Sequence, residues 1–119
     1  MGRTCVAYSL VVTPQAQADI AEGFAFLSEH SPEAAQRLYE AMRNAILTLD
    51  EMPARCALAP EAPRLGVPVR QLLHGTRPGI YRIVFRIAED AGEVHVLSVR
   101  HGACKPLSEE EMAPFLELP

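Results

Sequence analysis

The chain has 119 residues, of which 49% are hydrophobic and 22% charged, and its formal net charge is −4. This length and composition predict one globular domain, spanning the whole chain, and exclude a wholly disordered protein or one coated with basic residues for nucleic acid. No apolar run approaches the roughly 18 residues of a membrane-spanning helix and the N-terminus lacks the apolar segment of a secretory signal, so we predict a cytoplasmic protein without membrane contact.

The first half of the chain predicts a short strand and a helical hairpin. Residues 8–12 are of strand type, and Thr13–Pro14 is a helix start, with a capping hydroxyl followed by proline at the first helical position. Apolar residues between 16 and 27 then recur at steps of four, four and three, which is the spacing of one helix face. Ser31–Pro32 repeats the start signal, so a second amphipathic helix is predicted to run back along the first and to end before residue 53.

The second half predicts a loop and three strands. Four prolines in residues 53–68 exclude a helix or a central strand there, and the length of this loop suggests a functional role. Strand patterns follow at 69–74, 80–87 and 93–100. Their short connections predict antiparallel neighbours, and the last strand, apolar on both sides at its centre, is predicted to be central.

These elements predict an α+β fold. An N-terminal strand and a helical hairpin pack on one face of a small, mostly antiparallel sheet in the order β-α-α-β-β-β. The core spans about residues 8–105, and the acidic tail 106–119 opens on a capping box at residues 108–111 that predicts a short helical piece before Pro114. The second face of the sheet is then left for solvent or a partner.

Two arginines lie inside an otherwise apolar strand pattern. Alternation places Arg82 and Arg86 with Val84 on the face opposite the helices, while residues 81, 83, 85 and 87 face them. Four residues of strand separate the two guanidinium groups by about 13 Å, at roughly 3.3 Å per residue. One metal ion or phosphate cannot bridge that gap, whereas nucleic acid or an acidic peptide can. A solvated face with local carboxylate partners and an anion- or partner-binding surface both stay open.

The basic residues are concentrated around these strands. Residues 64–105 hold seven Lys and Arg against three acids, whereas 106–119 hold four Glu and no base. Arg70 and His74 are predicted to join the same patch as the two arginines. Alternation does not decide which of Arg100 and His101 turns outward. His101 is either a strand-end residue bonded to a backbone carbonyl or a general acid or base.

Several chemistries have no support in the sequence. The three cysteines are odd in number and far apart, without a CxxC pair, which predicts reduced thiols and neither a disulfide framework nor a zinc site. The chain has no nucleophile elbow, phosphate-cradling glycine loop or HExxH motif, so we predict no cofactor and no metal. An RNase-like scheme of arginines and a histidine, or a binding module, remains.

In order and spacing, five segments resemble the RelE/ParE toxin superfamily, the toxins of type II toxin–antitoxin modules often called plasmid stabilization proteins. They are residues 8–12, 13–20, 31–35, 81–85 and 99–102, so the resemblance covers about residues 8–105. It implies a helical hairpin packed on a small antiparallel sheet. It also implies a growth-inhibiting toxin that a cognate, ParD-like antitoxin silences in a hetero-oligomer, while a toxin homodimer is also open.

The superfamily divides by target, because RelE-like members cleave mRNA in the ribosome and ParE-like members poison DNA gyrase. Arg82 matches the arginine of the family's Tyr-Arg strand motif, and His101 lies where some ribonuclease members place a catalytic histidine, with Arg70 a weaker candidate for stabilising phosphate charge. The basic block has one lysine, Lys105, and no tyrosine beyond Tyr81, which departs from the RelE pattern and favours the ParE-like type.

Three hypotheses follow from the resemblance. The first is a ParE-like toxin that binds a cellular protein such as gyrase, and the second is a ribosome-dependent mRNA endonuclease. The third is a toxin-fold remnant that binds only an antitoxin. Five residues are predicted to contact target or partner: His74, Arg82, Arg86, Arg100 and Lys105.

Overall fold

The computed structural model describes residues 7–75 and 80–101, and it includes the backbone but not the side chain of His101. A strand and a helical hairpin precede three strands, which confirms the predicted β-α-α-β-β-β order. The elements are β1 (Ser9–Val12), α1 (Pro14–Ser28), α2 (Pro32–Leu47), α3 (Ala62–Leu65), β2 (Arg70–His74), β3 (Tyr81–Ala88) and β4 (Glu93–His101). None of the helices in this part of the chain is both long and apolar enough to cross a bilayer. The helical piece predicted in the tail lies outside the described residues.

Both long helices begin at the predicted capping residues. The Thr13 hydroxyl accepts a hydrogen bond of 3.3 Å from the Ala16 amide, and the Ser31 hydroxyl accepts one of 3.2 Å from the Ala34 amide. The Thr13 hydroxyl also donates to the carbonyl of Val96 in β4 at 2.8 Å. The start of α1 is therefore attached to the sheet on which the helix packs.

The sheet has the order β1-β4-β3-β2, in which β1 is parallel to β4 and the other pairs are antiparallel. This confirms the mostly antiparallel sheet and the internal position of β4. The β3–β4 register shifts once, since Val84 pairs with Ser98 but Phe85 pairs with Val96. Leu97 is the additional residue of a β-bulge, and side chains beyond it reverse their alternation.

The main core lies between the sheet and the helical hairpin. Ile83, Phe85 and Val96 are fully buried in one cluster with Met42 and Ile46 of α2. Tyr81 and Ile87 pack against the same cluster. The predicted alternation of β3 is thereby confirmed, since its odd-numbered residues face the helices.

The second face of the sheet is covered, which corrects the prediction that it is left for solvent or a partner. Val84 and Leu97 are fully buried there beneath Ala59, Ala62 and Val69. Two backbone bonds hold the covering segment on the edge of β2: the Ala59 amide donates to the Val69 carbonyl at 2.9 Å and the Gln71 amide to the Ala57 carbonyl at 3.0 Å. We call residues 57–69 the loop cover. The burial of Val84 and Leu97 stabilises the loop cover in its place on the sheet.

The loop cover contains one helical turn, α3, although the prolines were predicted to exclude a helix. Pro63 lies in the first turn of α3, where the missing N–H has no intrahelical partner to lose. Gly66 ends the turn in the left-handed conformation, with φ 72°, which favours glycine. The prediction was wrong because proline density limits helix length and not a single turn.

The carboxylate of Asp19 in α1 accepts hydrogen bonds from β4 next to the β-bulge. Oδ2 of Asp19 accepts hydrogen bonds from the Ser98 hydroxyl at 2.7 Å and the Val99 amide at 3.0 Å. Oδ1 accepts a third bond of 2.8 Å from the Gln15 side chain. Asp19 thus joins α1 to the part of β4 where the register shifts.

We expect Asp19→Ala to lower the free energy of unfolding by about 2 kcal/mol, because hydrogen bonds to a charged acceptor are lost and the Ser98 and Val99 donors lose their partner. Urea denaturation measures the change. Glu22→Ala, at an exposed position of the same helix, is the control and should change stability by less than about 0.5 kcal/mol. Equal losses in the two variants would contradict a specific role for the bulge contact.

Candidate functional site

Arg82 and Arg86 lie on the sheet face opposite the helices, as alternation predicts. Their neighbour Val84 is buried on that face under the loop cover. Across the β3–β4 pair, Arg82 is opposite Arg100, whose position beyond the bulge brings it to the same face. Of the two candidates for the outward position, Arg100 is thus on the face of Arg82, while the backbone of His101 pairs with Tyr81.

Arg82 forms a bidentate ion pair with Glu61 of the loop cover. Its Nη2 lies 2.6 Å from Oε2 of Glu61, and its Nη1 donates to Oε1 at 3.2 Å. Nη1 also donates to the side-chain oxygen of Gln71 in β2 at 2.7 Å. The Glu61 side chain is 0% exposed and that of Arg82 11%. The charge of Arg82 is therefore neutralised within the protein, in the parallel geometry that guanidinium and carboxylate groups favour.

The loop cover carries Glu61 to this position through its apolar residues. Ala59 and Ala62, on either side of the glutamate, are buried against the second face of the sheet. The Glu61 carbonyl accepts the amides of Arg64 and Leu65 at 3.1 Å, which fixes the turn that begins there. The buried carboxylate is thus held by packing, by backbone hydrogen bonds and by Arg82.

The prediction that Arg70 and His74 join Arg82 and Arg86 in one patch is wrong. In the β2–β3 register, Arg70 is opposite Phe85 and His74 is opposite Tyr81, both of which belong to the helix-facing side. Nη1 of Arg70 donates to the Cys56 carbonyl at 2.6 Å, at the start of the segment that leads into the loop cover. The sequence shows the alternation of each strand but not the register between them, and a register shift of one residue exchanges the faces.

Arg86 is half-buried, two positions beyond Val84 on the same face of β3, and is opposite His95 in β4. The His95 ring is buried and its Nε2 lies 3.0 Å from Oε1 of Glu93. The surroundings of Arg86 in β4 therefore include a basic side chain, His95, and an acidic one, Glu93. Lys105 lies outside the described residues.

Sequence reasoning missed Glu61 and Gln71, the two partners of Arg82. One signal was available, because Glu61 is the single acidic residue of residues 57–69, a segment otherwise rich in alanine, proline and other apolar residues. A lone carboxylate in a segment that packs on apolar strands needs a cation, and Arg82 was the strand residue in need of an anion.

The hydrogen bonds of Arg82 with Glu61 and Gln71 fix the loop cover on the sheet. Within residues 7–75 and 80–101, no group of three His, Cys, Asp or Glu side chains is placed to hold a metal ion. A phosphate group approaching Arg82 would have to displace a buried, bidentate carboxylate. The ion pair between Arg82 and Glu61 therefore joins β3 to the loop cover.

Comparisons with known proteins agree with this fold. Residues 10–106 match the model of the family described as ParE toxin of type II toxin-antitoxin system, parDE. A chain from the chromosomal ParDE TA system of P. aeruginosa is similar in structure, with a TM-score of 0.61, 22% identity, and coverage of 80% of this chain and 96% of that one. A chain from the RelBE2 toxin-antitoxin complex of Mycobacterium tuberculosis has a TM-score of 0.52 and 23% identity, covering 87% of this chain and 100% of that one. At these identities the two structures show a shared fold. A comparison with curated proteins gives no match.

Proposed function

The chain belongs to the ParE toxin family of type II toxin–antitoxin systems, and we propose that it inhibits growth by binding a protein target, DNA gyrase, and is neutralised by a small ParD-like antitoxin. The observation that carries the choice of a protein target is the buried ion pair between Arg82 and Glu61. The alternative is a ribosome-dependent endoribonuclease of the RelE type.

The ion pair favours protein binding because a ribonuclease needs cationic groups that meet phosphate charge in the transition state. Arg82 is the strand arginine that the resemblance would assign to that role, and its guanidinium is already bonded to Glu61 and Gln71. If a phosphate group took the place of the Glu61 carboxylate on Arg82, the carboxylate would lose its cation and lie next to a second negative charge. Both changes are unfavourable in free energy. A protein partner needs no such exchange.

The proposed contact surface lies at the margin of the loop cover. Arg86 and Arg100 share the sheet face of Arg82, and we propose that they contribute to target or antitoxin binding. We also propose His74 and Lys105 as contact residues; His74 is on the helix-facing side of β2 and so contributes outside this surface. Arg82 contributes indirectly, by holding the loop cover on the sheet.

Induced expression in a bacterium tests this function. We expect filamentation and induction of the SOS response, because inhibition of gyrase damages DNA. Both effects should be relieved when a small antitoxin from the neighbouring reading frame is co-expressed. Microscopy, an SOS reporter and total mRNA integrity are measured in parallel.

Two other outcomes would contradict the proposal. A rapid block of translation with cleaved mRNA, without SOS induction, indicates the endoribonuclease. Unaffected growth together with tight antitoxin binding indicates a toxin-fold remnant. Induction of an unrelated protein of the same size from the same promoter controls for the burden of expression.

A further inference from the structure

An apolar groove of about 830 Å³ lies between α1, α2 and the edge strand β1. We call it the helical groove. Its lining includes Leu10, Ile20, Phe24, Tyr39, Met42 and Leu47. Tyr39 and Leu47 are 44% and 47% exposed, so large apolar surface of α2 faces solvent here. Apolar surface of this kind gains free energy when another apolar group covers it.

The helical groove leads toward the end of β4. Ile20, Phe24 and Met42 line both the groove and a smaller adjoining cavity, whose wall also includes Tyr81 and Val99. Val99 lies two residues before the end of β4, and His101 pairs with Tyr81. The last described residue, His101, is therefore paired with a residue of the cavity wall that adjoins the groove.

Residues 106–119 have a composition that suits the helical groove. Residues 106–119 contain Met112, Phe115, Leu116 and Leu118 together with four glutamates and no base. The segment begins where the family match ends, at residue 106, so it is a feature of this chain beyond the matched region. The eleven residues from Gly102 to Met112 can span up to about 36 Å at roughly 3.3 Å each, which is long enough to reach the groove from the end of β4.

The charges of the tail and of the groove are also complementary. Among the described residues that line the groove, the charged side chain is Arg43, and none is a carboxylate. We propose that the acidic tail, residues 106–119, docks in the helical groove of its own chain, with its large apolar side chains on the groove wall and its glutamates toward Arg43. This inference is independent of the target that the toxin binds.

A tryptophan placed in the tail tests the proposal, because the chain has none of its own. In the 119-residue chain with Phe115→Trp, we expect blue-shifted indole emission and protection from acrylamide quenching, relative to a synthetic peptide of residues 106–119 with the same substitution. Adding Leu47→Glu in the groove is expected to abolish the protection. The matched control Leu73→Glu, at a position 56% exposed in β2 and outside the groove, should leave it unchanged.

Three results would overturn the proposal. If the indole in the full chain is quenched as readily as in the peptide, the tail does not occupy the groove, which is then open to a partner such as an antitoxin. If both glutamate variants keep the protection, the tail is shielded elsewhere. If protection is lost on dilution, the tail docks in a second copy of the chain. Circular dichroism verifies that both glutamate variants are folded.

Discussion

Replacement of Glu61 by alanine is expected to lower the free energy of unfolding by about 3–5 kcal/mol, because it leaves the Arg82 charge largely buried without its partner. The pair is bidentate, with one N–O distance of 2.6 Å, and the Glu61 side chain is fully buried. The lost carboxylate also removes one of the contacts that hold the loop cover on Val84 and Leu97. Urea denaturation followed by circular dichroism gives the change in stability.

Glu51→Ala is the control for this variant. Glu51 is exposed and lies in the irregular segment before the loop cover, so its replacement should change the free energy of unfolding by less than about 0.5 kcal/mol. A loss below about 1 kcal/mol for Glu61→Ala would contradict the anchoring role, since it would mean that Arg82 reaches water when its partner is removed.

The double variant Glu61→Leu/Arg82→Met is expected to fold with a stability within about 2 kcal/mol of the parent, because apolar residues of similar volume replace buried ion pairs at little cost. We expect it to retain growth inhibition, since the proposed mechanism uses Arg82 to position the loop cover and not to meet phosphate. Arg82→Ala alone is expected to unfold the protein and so to abolish growth inhibition, because it leaves the buried Glu61 carboxylate without its cation.

This comparison separates two explanations that the single variant confounds. Soluble yield and urea denaturation establish which variants are folded, and colony counts after induction establish which inhibit growth. A double variant that is folded but harmless would contradict the proposed role of Arg82, because it would show that the guanidinium itself meets target or RNA.

The elements that sequence predicts well are those set by local rules. Thr13–Pro14 and Ser31–Pro32 begin both long helices because a capping hydroxyl and a proline act within one turn. The alternation in β3 holds because its apolar face meets the helical core. The family assignment follows from the order of such local motifs, and the family match confirms it.

What the sequence does not determine is set by long-range pairing. The bulge at Leu97 depends on how β4 meets β3, and it decides the face of Arg100. The ion pair joins residues 61 and 82, which come together only when the loop cover packs. The assignment of Arg70 and His74 to the wrong face has the same origin, since alternation within a strand carries no information on its register with the next.

The position of β1 also has a consequence for how this toxin is made. Among the described strands the first pairs with the last, and Ser9 is opposite Glu93. Contacts so distant in sequence slow folding, and they cannot form on the ribosome before β4 has emerged. The helical hairpin is synthesised long before the sheet that buries its apolar face. The sheet is therefore completed only after Glu93–His101 has been synthesised, and until then the apolar residues of the hairpin lack the strands that bury them.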